Sequence, residues 1–146
     1  MQTLTVPHEM LAAMIAHAEE TYPHECCGLF AGDRQARRVD TVHRAANLNQ
    51  ERARDRYELD PQDFLAFDRA LRGTGREILG VYHSHPDHPA IASETDRSRA
   101  WPDYSYIIVS VQGGRVADVK SWVYDLDSER FFAENFTLEP APGSAS

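Results

Sequence analysis

Two histidines, separated by a single serine, close the most strand-like segment of the chain. The segment spans residues 77–85 and ends in His83-Ser84-His85. Because side chains alternate between the two faces of a strand, we expect His83 and His85 on one face and Ser84 on the other. Two imidazoles on one face form half of a zinc site, to which a carboxylate commonly adds a third ligand. The pattern therefore predicts a metal site at the end of this strand.

Asp96 is the candidate for the carboxylate ligand. It follows His85 by eleven residues, and Ser93-Glu94-Thr95-Asp96 has the form of a capping box that begins a helix. Three protein ligands leave a fourth position for water, as in catalytic rather than structural zinc sites. Two alternatives stay open from the residues alone. His88, in a loop between two prolines, could take the place of Asp96, and Ser93 and Asp96 could serve only to cap the helix.

These residues need a framework that brings them together, and the hydrophobic pattern predicts an α/β (α+β) domain with one mixed sheet. Helices are predicted between Pro7 and Pro23, from the Asp60-Pro61 start signal to Gly73, and over residues 93–101. Six or seven strands are predicted, at residues 26–31, 39–45, 57–59, 77–85, 104–111, 116–124 and 130–137. The candidate ligands then lie where a strand passes into the following loop and helix.

Length and composition limit the classes of protein that fit. The 146 residues amount to one domain, expected over residues 1–138 and followed by a disordered tail at 139–146. A net charge of −8 argues against nucleic-acid binding, which normally requires a basic face. No apolar run approaches the ~18 residues of a membrane span, and no export signal is visible. The adjacent Cys26 and Cys27 have no other cysteine to pair with, so free thiols in a reducing cytoplasm are expected.

The spacing of the candidate ligands is similar to that of a known family. His83-Ser84-His85-Pro86 followed by Ser93-Glu94-Thr95-Asp96 resembles the JAMM motif of the MPN+ (Mov34/PAD-1-like) zinc metalloproteases. The segment Pro23–Gly32 resembles the bacterial single-domain form of that family, with Glu25 at the position of the family's glutamate. The resemblance continues across Asn47 and Tyr57–Pro61, roughly over residues 4–125. It implies an MPN-type fold, a mixed-sheet sandwich with about three helices beside one sheet.

The resemblance also implies roles for these residues in amide hydrolysis. His83, His85 and Asp96 would bind one zinc ion per chain together with a water molecule, whose pKa the metal lowers toward about 7. Glu25, which is not a ligand, would accept the proton of that water and pass it to the leaving nitrogen. Ser93 would donate a hydrogen bond to the oxyanion of the tetrahedral intermediate.

Prokaryotic members of the family that resemble this chain process sulfur carriers and ubiquitin-like proteins. The expected reaction is cleavage after the C-terminal Gly-Gly of such a carrier, which releases an amino acid, an amine or a conjugated lysine. The tail is expected beside the catalytic strand as an added β-strand. Arg52, Arg54 and Arg56 could border that groove or belong only to a solvated loop. The alternatives are a non-catalytic MPN-type binding scaffold and a general small metallopeptidase.

The two cysteines raise a different possibility. Cys26 or Cys27 could act as a nucleophile with His83 or His24 as its base, although cysteines inside an apolar strand are usually buried small residues. Cys27 could also approach the metal. A zinc deaminase would require a His-x-Glu sequence and a Pro-Cys-x-x-Cys sequence, and the chain contains neither.

Overall fold

The fold consists of seven strands and two helices in the residues that the structure describes, 3–92 and 103–140 of a computed structural model. In chain order, the elements are β1 (Thr3–Pro7), α1 (His8–Thr21), β2 (Cys27–Asp33), β3 (Arg38–Ala45), α2 (Pro61–Leu71), β4 (Glu77–Pro86), β5 (Ser105–Gln112), β6 (Arg115–Asp125) and β7 (Arg130–Glu139). Neither described helix is long and apolar enough to cross a membrane.

The strands form one mixed sheet in the order β1-β3-β2-β4-β5-β6-β7. β4 is the middle strand, antiparallel to β2 and parallel to β5. β7 pairs in parallel with β1, so the sheet closes into a barrel. The predicted mixed sheet is confirmed. Its closure was not expected, because β1 lies in a segment for which only the start of a helix was predicted.

The two helices cover opposite faces of the sheet and define two apolar cores. The core under α1 includes Met14 of the helix together with Phe30 and Tyr82 of the sheet. The core under α2 includes Phe67 of the helix and Leu29 of the sheet. Neighbouring residues of β2 and β4 thus enter different cores, as the two-residue alternation of a strand requires. β4 is buried from Ile78 to Pro86, because sheet and helices enclose it on both faces.

Local sequence signals explain where the second helix begins. The carboxylate of Asp60 accepts a hydrogen bond from the backbone N–H of Gln62 at 2.9 Å, and Pro61 occupies the first turn. The strand predicted over residues 57–59 is reduced to one bridge between Asn47 and Leu59. The third predicted helix, at 93–101, lies outside the described residues, as does most of the predicted tail.

Candidate active site

His83 and His85 lie side by side on one face of β4. Their ring centroids are 5.1 Å apart, and the two residues are 0% and 7% exposed. Ser84 points to the other face, where its hydroxyl accepts a hydrogen bond from the backbone N–H of Cys26 at 2.8 Å. The predicted alternation of side chains along β4 is therefore confirmed. It places two imidazoles together in a buried position.

Glu25 joins the two histidines from the neighbouring strand. Cys27 of β2 is opposite His83 in the antiparallel register, so Glu25 lies just before the paired part of β2. Its carboxylate Oε1 is 3.2 Å from Nδ1 of His83, and the residue is 3% exposed. Ligand atoms of Glu25, His83 and His85 all lie within 4.8 Å of one another. The three side chains therefore form a buried group that could hold a metal ion.

The hydrogen bonds of the two imidazoles fit a metal site. Nδ1 of His83 faces the Glu25 carboxylate, and Nδ1 of His85 is 2.8 Å from the carbonyl oxygen of Pro89. Histidines that bind a metal typically donate one ring N–H to a carboxylate or a backbone carbonyl, which fixes the ring and directs the other nitrogen to the ion. Imidazole nitrogen and carboxylate oxygen are donors that zinc accepts.

Tyr57 contacts this group, although sequence reasoning gave it no part in the site. Its ring stacks on the imidazole of His83 with a centroid separation of 4.4 Å and an interplanar angle of 23°. Tyr57 is buried and also lines an apolar cavity of about 610 Å³ between α2 and the sheet. Other apolar residues of the cavity are Leu29, Leu59, Phe64, Leu65, Val81 and Tyr106. Since Val81 and His83 share a face of β4, the cavity extends along that strand from the metal-binding group.

Both cysteines are buried, as the simpler interpretation expects. Burial raises the pKa of the Cys26 thiol to about 12 and also raises the pKa of Cys27 above its usual range. Cys27 donates a weak hydrogen bond to the carbonyl oxygen of Ala46, with sulfur and oxygen 3.5 Å apart. A cysteine nucleophile must be a thiolate near neutral pH, so these environments do not support a cysteine protease. Cys27 is not part of the metal-binding group found among the described residues, so its approach to the metal stays a prediction.

The remaining predicted site residues fall into two groups. Ser93 and Asp96 lie outside the described residues, so their predicted roles stay predictions. His88 is exposed and is not part of the metal-binding group found among the described residues.

The loop that carries Arg52, Arg54 and Arg56 exposes the first two of these arginines and lies near His85. Arg52 and Arg54 border a polar depression of about 440 Å³ that also contacts Pro86, the residue after His85. Arg52 pairs with Asp55, which reduces the charge that it can offer to a ligand. Arg56 is half-buried. Whether these arginines border the groove for the substrate tail or belong only to a solvated loop stays open.

Both edges of β4 are paired with neighbouring strands over most of its length. Residues 77–83 pair with β2, with an irregularity at Leu79, and residues 80–86 pair with β5. The N–H of Ser84 also donates to the carbonyl of Cys26 at 3.1 Å. Residues 80–83 of β4 therefore have strands on both sides, and the expected addition of a substrate tail as a strand beside the rest of β4 stays a prediction.

The closed mixed sheet thus brings two buried histidines of β4 together with the Glu25 carboxylate just before β2, a donor set typical of metal-dependent hydrolases. The chain belongs to the Prok-JAB family, the prokaryotic homologs of the JAB domain, whose profile matches residues 7–125. The family assignment confirms the resemblance to JAMM/MPN+ proteins and the expected fold class.

Individual relatives agree with this assignment. The chain is 40% identical over 110 residues to a desampylase of Haloferax volcanii, with 72% of this chain and 78% of the relative aligned. It is 32% identical over 124 residues to the CysO-cysteine peptidase of Mycobacterium tuberculosis, with 82% and 81% aligned. A solution structure from Desulfitobacterium hafniense matches with a TM-score of 0.81 at 30% identity and covers 94% of both chains. The predicted hydrolase class is thereby confirmed.

Proposed function

We propose that this protein is a zinc-dependent isopeptidase that cleaves after the C-terminal Gly-Gly of a ubiquitin-like or sulfur-carrier protein. The observation that carries the proposal is the buried pair of His83 and His85 on β4 of a Prok-JAB domain, with the carboxylate of Glu25 beside it. One relative is named for an adduct between a carrier and an amino acid, the CysO-cysteine peptidase. A carrier adduct is therefore the substrate class best supported for this chain.

In this proposal His83, His85 and Asp96 hold the zinc, and Glu25 handles protons. A bound zinc supplies Lewis acidity, which acidifies water and polarises a carbonyl oxygen. One oxygen of Glu25 orients His83 through Nδ1, and the other can accept a proton from water and deliver it to the leaving nitrogen. Hydrolysis breaks the C–N bond, adds the elements of water, and yields a carrier carboxylate and a free amine. Ser93 is proposed to donate a hydrogen bond to the developing oxyanion.

The shape of the site supports a tail with small residues at the scissile bond. The metal-binding group is buried, so a bulky side chain beside the scissile carbonyl would hold it away from the metal. The apolar cavity along Val81 and Tyr57 can accept an apolar side chain further back in an extended tail. A Gly-Gly terminus preceded by larger residues meets both conditions.

The test is mass spectrometry of carrier–cysteine and carrier–lysine adducts incubated with the zinc-loaded protein. We expect cleavage directly after the last glycine and near-complete loss of cleavage when that glycine is replaced by valine. The Glu25→Gln variant is the control for contaminating proteases. Intact Gly-Gly adducts beside internal cleavage of unrelated extended peptides would instead identify a general metallopeptidase, and no cleavage of any substrate would identify a binding scaffold. A cytoplasmic location is also proposed, supported by the two buried free thiols.

A further inference from the structure

The side-chain amide of Asn47 uses its full hydrogen-bonding capacity on the backbone around the site. Its Nδ2 donates to the carbonyl oxygens of Glu25 and Arg56, each at 3.1 Å. Its Oδ1 accepts from the backbone N–H groups of Asn49 at 3.0 Å and Glu58 at 2.9 Å. An amide offers two donor hydrogens and two acceptor lone pairs, so all four positions are occupied. Asn47 thus joins two separate parts of the chain through one side chain.

One of these bonds holds the backbone that carries the proton-handling carboxylate. Glu25 precedes the paired part of β2, so the sheet itself does not fix its main chain. Its N–H donates to the carbonyl of Ala53, and its own carbonyl accepts from Asn47. Both backbone polar groups of Glu25 are therefore held by the connection between β3 and α2. From this anchored position its carboxylate reaches Nδ1 of His83 at 3.2 Å.

Two further bonds fix the aromatic ring that packs on the same histidine. Arg56 and Glu58 flank Tyr57 in sequence, and both bind Asn47 through their backbone. The two bonds fix the backbone on both sides of Tyr57 in the sequence. The Tyr57 ring stacks on His83 at a centroid separation of 4.4 Å. The amide of Asn47 therefore fixes two side chains that contact the His83 imidazole, the Glu25 carboxylate and the Tyr57 ring.

We infer that Asn47 is a positioning residue that holds Glu25 and Tyr57 against His83 and thereby sets the geometry of the metal-binding group. Its predicted effect on turnover rests on the proposed function. Its effect on local order and on metal affinity does not. Positions of reacting groups matter because small displacements of a general base or a ligand reduce rates and affinities many-fold.

Two isosteric substitutions separate positioning from a general effect of charge in this loop. Asn47→Asp retains the acceptor oxygen but removes the donors that bind Glu25 and Arg56. Asn49→Asp is the matched control: it makes the same chemical change two residues away. The Asn49 side chain accepts a bond from the N–H of Arg52 at 2.9 Å and donates none within residues 3–92 and 103–140, and an aspartate preserves the accepted bond. Asn47→Ser, which is neutral, replaces Asn47→Asp if the charged variant does not fold.

For Asn47→Asp we expect kcat on a Gly-Gly adduct to fall about 10–100-fold while KM changes less than about threefold. Zinc affinity should fall within a similar range, and Asn49→Asp should match the wild type. In a Glu25→Gln background at saturating zinc, Asn47→Asp should reduce kcat by a smaller factor than in the wild type, because the part of its effect that acts through the Glu25 carboxylate is already lost. Hydrogen exchange of the metal-free protein should rise at residues 23–27 and 53–58 and stay unchanged in β5 and β6.

Three results would overturn the inference. The first is wild-type kcat and zinc affinity in a folded Asn47→Asp variant. The second is a loss of kcat from Asn47→Asp that is as large in the Glu25→Gln background as in the wild type, and the third is faster hydrogen exchange throughout the sheet. The last would make Asn47 a general stabilising residue rather than a positioning one. If the wild-type protein cleaves no Gly-Gly adduct, the proposed function fails. The exchange and zinc-affinity comparisons then still decide the role of Asn47.

Discussion

Burial determines what the residues of the site can do. Glu25 and His83 are 3% and 0% exposed and face each other across 3.2 Å. Water screens charges weakly in such a position, so a carboxylate interacts more strongly with a nearby proton or cation than it would at the surface. The exposed His24, next in the chain to Glu25, shows how far the environment changes over one residue. Among these residues, the buried Glu25 and His83 are therefore the ones that are suited to binding a cation or transferring a proton.

The first prediction separates proton handling from metal binding at Glu25. Glu25→Gln keeps the size of the side chain and a carbonyl oxygen but removes the basic carboxylate. We expect the variant to fold and to retain zinc, while the rate of adduct cleavage falls about 10²–10⁴-fold, the usual contribution of a general acid–base group. Elemental analysis and rates measured on the same preparation provide the check. Glu20→Gln, at an exposed position of α1, is the matched control, and full activity of Glu25→Gln would remove Glu25 from the mechanism.

The second prediction concerns metal content. Protein prepared with zinc available should contain about one zinc per chain, and His83→Ala or His85→Ala should lose it, because each removes one imidazole donor from a site of few ligands. Asp96→Ala should have the same effect if Asp96 is the third ligand. His24→Ala, which removes an exposed histidine beside Glu25, should keep a full complement of zinc. Stoichiometric zinc in both His83→Ala and His85→Ala would place the metal elsewhere.

At the scale of elements, helices and strands could be predicted from the sequence where the hydrophobic pattern and capping residues agree with the burial found in the fold. The strand predicted over residues 77–85 is present as β4, since its apolar run matches a strand that is buried on both faces. The start of α2 was predicted from Asp60-Pro61, and its cap bond is present. β1 was missed because Thr3–Pro7 is short, and only its pairing with β7 and β3 makes it a strand. The contact of Tyr57 with His83 was missed for a similar reason, since it depends on the fold and has no local pattern.

The third prediction tests how closely β2 and β4 pack. A methyl group added at Gly28 would lie 2.2–2.4 Å from two ring carbons and the hydroxyl oxygen of Tyr82, which is fully buried on the neighbouring strand. Gly28→Ala should therefore reduce the free energy of unfolding by about 1–3 kcal/mol, the usual cost of overpacking a core. Urea titration monitored by circular dichroism measures the change. In a Tyr82→Leu background the same substitution should cost less, and an equal cost in both backgrounds would show that the ring contact is not the cause.

At the scale of the whole molecule, one buried polar cluster connects the strands on both sides of the barrel closure. Arg37, in the turn between β2 and β3, donates to the carboxylate of Glu134 on β7 and to the hydroxyl of Ser105 on β5 at 2.6 Å. Ser121 on β6 donates to the other oxygen of Glu134 at 2.8 Å. The Arg37 and Glu134 side chains are only 12% and 3% exposed. This cluster joins segments that the sequence pattern could not relate, because they are far apart in the chain.

The fourth prediction follows from this buried ion pair. Glu134→Leu leaves the Arg37 guanidinium buried without its counter-charge, so we expect a loss of about 3–5 kcal/mol in the free energy of unfolding. The double variant Arg37→Met/Glu134→Leu removes both charges and should recover much of that loss. Glu139→Leu is the matched control, since it breaks the exposed pair with Arg38, and it should cost about 0–1 kcal/mol. Equal losses for Glu134→Leu and Glu139→Leu in urea titrations would contradict the structural importance of the buried pair.

The fifth prediction concerns the response of the whole fold to acid. Nδ1 of His17 on α1 is 2.7 Å from the Tyr82 hydroxyl, and burial, with a smaller effect of the nearby Arg44, lowers the pKa of His17 from 6.5 to about 4. Below pH 6.5, His17 of the unfolded chain therefore takes up a proton that His17 of the folded protein does not. The free energy of unfolding falls as the pH decreases from about 6.5 to about 4, and His17 causes no further loss below pH 4.

The ring is only half-buried, so solvent screening limits its contribution to about 1–2 kcal/mol. Urea titrations at pH 7 and pH 4.5 should show a smaller acid-induced loss for His17→Gln than for the wild type, because glutamine has no proton to gain. His8→Gln, at an exposed position of the same helix, should lose as much stability as the wild type. An identical loss in His17→Gln and wild type would mean that other groups control the acid sensitivity of the fold.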